Sequence, residues 1–163
     1  MTFHELYNRY SGDVYRFALW LSGNPDDARD ITSETFVRVW TAPEEPRMET
    51  VKAYLFTIAR NLYRRQWRRA SRFEPLETEA GEARPDQAAS PDQAAVNHEE
   101  FRRAMAAVQA LPEADRTALL MRAEEEMSYN DIAAATGMSA AAAKVRVFRA
   151  RAKLAAILKG EKA

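Results

Sequence analysis

Residues 128–151 read SYNDIAAATGMSAAAAKVRVFRAR, and this stretch decides the fold. Ser128 stands where an N-cap is needed before a short helix, Tyr129 to Thr136, because its hydroxyl accepts from a free N–H of the first turn. Gly137 follows, at a bend that asks for a positive φ. Ser139 then caps a long basic helix reaching about Lys159. Ala143, Val147, Ala150 and Leu154 recur at spacings of four, three and four, the apolar stripe of that helix. Ile132 and Ala133 of the short helix face inward, and Lys144, Arg146, Arg149, Arg151 and Lys153 take up the rest of the long helix's surface. A short capped helix, a glycine bend and a capped basic helix make a helix-turn-helix. Such a second helix enters the major groove and reaches bases with its first turns. A plain helical hairpin with a solvated basic face is the competing reading, and the cap and bend in front of the basic helix weigh against it.

Working outward, helical signals dominate and no strand is read. Pro112 opens a helix with Glu113 and Asp115 in its first turn and Leu119, Leu120 and Ala123 inside; before it, from about Asn97, Phe101, Met105 and Val108 line one face. Upstream of that the periodicity is lost. Residues 71–98 are rich in Pro, Glu, Gln, Ala and Ser, and PDQAA occurs at both 85–89 and 91–95. Such a segment buries too little apolar surface to offset its ordering entropy and reads as a flexible linker. At the other end, Leu6, Tyr10, Val14, Phe17 and Leu21 form one face of a first helix closed by Ser22-Gly23. Asn24, Pro25, Asp26 and Asp27 then give a strong helix start, since cap, proline and acids all suit free N–H groups and the positive helix end. That second helix runs to about Trp40, with Ala28, Ile31, Thr35 and Val39 inward and Asp27, Asp30, Glu34 and Arg38 on one polar stripe. Residues 41–50, with two prolines, form a loop, and a third helix over about Val51 to Arg69 carries the stripe Val51, Tyr54, Leu55, Ile58 and Leu62. The fold class expected is all-α: two small helical domains, 1–70 and 99–163, joined by the linker 71–98.

Composition narrows the function. The 24 basic and 24 acidic residues cancel, but residues 1–70 and 99–163 are each at +2 while 71–98 stand at −4. Residues 60–72 hold six arginines and no acid. Local basic patches of this kind supply phosphate binding. On the third helix Lys52, Phe56, Arg60, Tyr63, Arg64 and Trp67 lie off the apolar stripe, with Arg65, Arg68 and Arg69 alongside. Rings interleaved with arginines suit single-stranded DNA, where bases stack and cations hold phosphates. The alternative for Phe56, Tyr63 or Trp67 is packing against the first helix. Cysteine is absent and the two histidines, His4 and His98, are far apart, so no metal site, disulfide or cofactor is expected. No glycine-rich phosphate loop or paired carboxylate–histidine motif is present, which speaks against an enzyme. No apolar run of membrane-spanning length and no signal peptide are read, so the expected location is cytoplasmic, without membrane contact.

Two segments taken together resemble a known family. Residues 111–154, LPEADRTALLMRAEEEMSYNDIAAATGMSAAAAKVRVFRARAKL, closely resemble region 4 of extracytoplasmic-function (ECF) sigma factors of RNA polymerase. Residues 26–40, DDARDITSETFVRVW, and 53–69, AYLFTIARNLYRRQWRR, resemble their region 2. The order and separation also match, and the resemblance spans nearly everything but the linker. It implies a transcription initiation factor that binds core RNA polymerase, at the clamp coiled coil and the flap, and directs it to promoter DNA. Region 2 then docks on the clamp through Asp27, Asp30, Glu34 and Arg38. It opens the minus-10 element through Lys52, Phe56, Arg60, Tyr63, Arg64, Arg65, Trp67 and Arg68, the loop 41–50 capturing a flipped base. Region 4 reads the minus-35 element through Ser139, Lys144, Val145, Arg146, Phe148, Arg149 and Arg151; Phe148 is placed for a thymine methyl and Lys144 for a guanine edge. An anti-sigma factor clamped on both domains is a further partner the resemblance implies. The chain departs from the family pattern at Thr32-Ser33, where a Gln commonly precedes the Glu. Ala141, Ala142 and Ala143 stand where Gly-Thr-Val is common, Val145 stands for a small polar residue, and Glu126 for a glycine. A stand-alone helix-turn-helix regulator is the other reading; it accounts for residues 99–163 but not for the first two helical motifs.

Overall fold

Caps and turns set the helices. The computed structural model describes residues 2–42, 50–73, 91–123 and 127–162. Thr2 opens α1 (Phe3–Ser22) through a reciprocal capping box with Glu5, and Gly23 closes it at φ 71°. Asn24 starts α2 (Pro25–Thr41) by accepting from the Asp27 N–H at 3.0 Å. α3 spans Val51–Phe73 and α4 spans Pro91–Gln109. α5 (Glu113–Ala123), α6 (Tyr129–Thr136) and α7 (Ala140–Lys162) complete the chain, and no strand occurs among the described residues.

The predicted linker is narrower than expected. α3 continues past residue 71, and α4 begins inside the second PDQAA. Pro91 stands at the first helical position, where its missing N–H costs nothing, and DQAA behind it has good helix propensity. The reading by apolar stripe was blind there because this first turn offers no large apolar side chain. Residues 74–90, the 43–49 part of the predicted loop and Glu126 lie outside the described residues.

α1, α2 and α3 pack around Val14, Phe17, Leu21, Ile31, Phe36, Leu55 and Phe56. α5, α6 and α7 pack around Leu111, Met121, Met127, Ile132, Ala143 and Val147. These buried residues join into one connected cluster, since α1 meets α4 and α5 while α3 meets α6. Gly23 lies at this junction: a Cβ there would come within 2.9 Å of the Gln109 side chain.

The helix-turn-helix forms as its local signals require. Ser128 Oγ accepts from the Asp131 N–H at 3.0 Å, and Ser139 Oγ accepts from the Ala142 N–H at 3.0 Å. Gly137 takes φ 83° and its N–H bonds to the Ala133 carbonyl. Nothing lies within 4 Å of the place where a Cβ would project, so only backbone strain opposes a side chain there. Gly137→Ala is therefore expected to cost about 1–2 kcal/mol, read as a lowered urea midpoint at unchanged helix content; an unchanged midpoint would show that the bend relaxes without strain.

Candidate nucleic-acid and polymerase interfaces

Ala143, Val147 and Ala150 anchor α7 in the second half, and this turns a defined face outward. Phe148 is 76 % exposed and Val145 57 % exposed, and Lys144, Arg149 and Arg151 are exposed beside them. A largely exposed phenylalanine has no folding role to explain it, whereas an apolar ring between cations suits a base edge and its phosphates. Ser139 is exposed and its hydroxyl serves as the N-cap. Arg146 and Arg149 turn partly inward: Arg146 Nη1 donates to Asp115 Oδ1 at 2.8 Å, and Arg149 donates from Nε and Nη2 to the same carboxylate at 3.4 and 3.3 Å. Tyr129 of α6 carries the Arg122 guanidinium over its ring at 4.4 Å, with Lys144 Nζ 5.7 Å away.

The third helix requires a correction. Phe56 is completely buried and stacks on Phe17, with ring centroids 4.4 Å apart and planes 13° from parallel. Lys52 is buried, its Nζ 3.3 Å from Asp13 Oδ2. Arg60 is buried with Nε 3.5 Å from Glu113 Oε2; burial holds its pKa below the ordinary guanidinium value, Glu113 opposing that and Arg64 adding to it. Tyr63 is buried, and its hydroxyl accepts from Arg116 Nη1 at 3.0 Å. These four side chains do not lie off the buried face as the periodicity implied. The reason differs along the helix. Phe56 and Lys52 are covered by α1, where Phe17 and Asp13 meet them, whereas Arg60 and Tyr63 are covered by the second half, where Glu113 and Arg116 meet them. Arg64, Arg65, Trp67 and Arg68 are exposed, Trp67 by 55 %, although Arg64 Nε also lies 3.9 Å from Glu113 Oε1. Of the side chains read as minus-10 contacts, the exposed ones are thus reduced to one ring among arginines.

On α2 three of the four residues read as a polar stripe lie exposed together. Asp30, Glu34 and Arg38 are exposed, and Arg38 Nε sits 3.5 Å from Glu34 Oε2. They line a groove of about 280 Å³ together with Leu62, Arg65 and Gln66 of α3. Asp27 is half-buried at the helix start and does not line that groove. The structure therefore places Arg65, read as a DNA contact, beside the residues read as polymerase contacts.

Three features escaped the sequence. Asp115 is fully buried beneath α7, and Arg116 beside it is also buried. Asp115 falls three and four residues before Ala118 and Leu119, so its place on the apolar stripe was a signal, masked by the sufficiency of its first-turn position as an explanation. The third feature is an aromatic groove of about 500 Å³ lined by Phe3, Tyr7, Phe36, Val37 and Trp40. No group of metal-ligating side chains occurs among the described residues, and no described helix is long and apolar enough to cross a membrane.

Comparison with known proteins follows the same division. Residues 6–73 match the Sigma-70 region 2 family, and residues 101–154 match the Sigma-70 region 4 family. The chain is 38 % identical over 143 residues to the ECF RNA polymerase sigma factor EcfG of Rhodopseudomonas palustris, covering 87 % of this chain and 77 % of that protein. Its structure is similar to the sigma factor RpoE of Bartonella quintana solved with the anti-sigma factor NepR. That match has a TM-score of 0.77 and 28 % identity over 96 % of each chain. It is also similar to CnrH solved with the cytosolic domain of CnrY, with a TM-score of 0.71 and 25 % identity over 97 % of this chain and 88 % of that one. The chain belongs to the extracytoplasmic-function group of sigma-70-type RNA polymerase sigma factors, which direct polymerase to promoters in transcription initiation.

Proposed function

We propose that the two halves divide promoter work at the residues described above. The first half, residues 1–70, docks on the polymerase clamp through the α2 stripe Asp30, Glu34 and Arg38, with Asp27 at its edge. The exposed Trp67, Arg64, Arg65 and Arg68 of α3 meet the minus-10 strand. The second half, residues 99–163, reads the minus-35 element through Lys144, Val145, Phe148 and Arg149, with Ser139, Arg146 and Arg151 beside the backbone, while the part of residues 71–98 between α3 and α4 tethers the two. The exposure of Phe148 among cations is the observation that carries the DNA assignment, and the single groove holding Asp30, Glu34 and Arg38 supports the polymerase one. Catalysis belongs to the polymerase, and the chain acts in the cytoplasm without a cofactor. The similarity to two sigma factors solved with anti-sigma partners supports an anti-sigma factor here, seated on both halves.

The test is a titration of labelled chain with purified core polymerase, read by anisotropy. A complex tighter than about 1 µM, better than about −8 kcal/mol, is expected, weakened at least tenfold in the Asp30→Lys/Glu34→Lys double variant. No binding by folded wild-type chain would move the assignment to a stand-alone DNA-binding regulator. Wild-type binding that the reversal leaves unchanged would move the clamp contact off α2.

A further inference from the structure

Three cations of α7 converge on one buried acid of α5. Besides the Arg146 and Arg149 hydrogen bonds, Lys153 Nζ lies 3.9 Å from Asp115 Oδ2. Positions 146, 149 and 153 follow at three and four residues, so they share one edge of the helix. Burial pushes the Asp115 carboxyl up, but hydrogen bonds from Arg149 and Arg146 hold it below the ordinary carboxylate value, so it is ionised at neutral pH. The arginines are held on one side only: their side chains remain 35 % and 49 % exposed. Arg149 gives Asp115 its Nε–Nη2 edge, which leaves Nη1 without a hydrogen-bond partner among the described residues. A guanidinium is planar, so fixing one edge fixes the direction of the others. Phe148 and Val145, the exposed large apolar side chains of α7, adjoin these arginines in sequence.

We propose that Asp115 is a positioning residue for sequence reading: it fixes the planes of Arg146 and Arg149 beside the exposed face of α7 and cancels part of that helix's positive charge. The recognition helix thereby gives up general phosphate affinity and gains discrimination between sequences. The inference rests on the reading of α7 as the minus-35 helix. A carboxylate that only stapled α5 to α7 would, on removal, weaken every kind of binding together. A positioning carboxylate moves two quantities in opposite directions. Without it the arginines regain rotamer freedom, so discrimination falls, while a released cation reaches phosphate, so non-specific binding tightens.

The experiment uses the full chain and its Asp115→Asn and Asp115→Glu variants. Each is assembled with core polymerase and used to select from duplexes randomised across the minus-35 window. The free chain is then titrated with a random-sequence duplex over a salt series. Asp115→Asn is expected to lower enrichment of the selected sequence roughly tenfold, within the range a bidentate contact supplies. It is also expected to steepen the salt slope by about 0.9, the value of one added phosphate contact. Asp115→Glu is expected to restore both toward wild type. Wild-type holoenzyme that selects no sequence defeats the reading of α7 itself. Wild-type selection with an unchanged Asp115→Asn profile and slope overturns the role of Asp115 alone, as does a folded variant in which both kinds of binding weaken together. If Asp115→Asn fails to fold, Asp115→Leu replaces it, filling the buried space without charge; failure of both to fold also overturns the proposal, because the carboxylate is then part of the fold.

Discussion

Replacing Arg116 with leucine is expected to lower stability by about 2–4 kcal/mol, the cost of leaving several buried acceptors without donors. The guanidinium lies where the C-terminal ends of two helices converge. Nη1 donates to the Leu21 carbonyl at 2.9 Å, in the last turn of α1, and to the Tyr63 hydroxyl at 3.0 Å. Nη2 donates to the Leu111 carbonyl at 3.0 Å and the Gln109 carbonyl at 3.4 Å, at and just beyond the end of α4. Carbonyls in a last helical turn have no intrahelical partner, and both helix dipoles end there negative. One buried cation satisfies both ends and simultaneously bonds the first half to the second. Leucine fills much of the volume and none of the hydrogen bonds. Lysine keeps the charge but not the planar fork, and should recover only part of the loss. Urea unfolding measures the cost, and small-angle scattering should show a larger radius of gyration as the halves lose this bond. A variant within about 0.5 kcal/mol of wild type, the range of ordinary surface substitutions, would mean that water or neighbouring donors already serve those carbonyls. The Gln109 bond to the Trp20 carbonyl at 2.6 Å and the Arg60–Glu113 pair cross the same junction, so separation is expected to be partial.

What the sequence made legible was local. Asn24, Ser128, Ser139 and Gly137 act on backbone groups within a few residues, and each takes the place its chemistry dictates. The single stripes of α2 and α7 were readable because each of those helices buries essentially one face. α3 was not: Phe56 and Lys52 are covered by Phe17 and Asp13 of α1, and Arg60 and Tyr63 by Glu113 and Arg116, some fifty residues away and on another helix. A periodicity count on one helix knows nothing of a second covering partner. Polar residues such as Arg60 then pass for solvent-facing ones when they are buried and paired. Asp115 failed in the opposite sense: a sufficient local explanation, an acid near a helix start, concealed a long-range one. The candidate polymerase stripe on α2 was therefore legible almost whole, the exposed face of α7 proposed to read bases in outline, and the proposed minus-10 face only at its exposed end.

Phe56→Ala separates the two meanings that an aromatic residue on α3 can carry. Truncating a fully buried phenylalanine costs about 3–5 kcal/mol through lost transfer energy and the cavity left behind, and here the parallel stack with Phe17 is lost as well. The first half is small, and at about 0.05–0.15 kcal/mol per residue its own stability is of the same size as that loss. The expected result is a first half largely unfolded near physiological temperature, seen as loss of near-ultraviolet circular dichroism. Core polymerase binding should fall with it, because α2 loses the helix it packs against. Phe56→Leu should retain most of the fold and most of the binding. A base-stacking role predicts a different outcome for the alanine variant: an intact fold, undiminished polymerase affinity and a defect confined to strand opening. The buried position of Phe56 against Phe17 favours the first outcome, whereas Trp67→Ala, at an exposed ring on the same helix, should give the second.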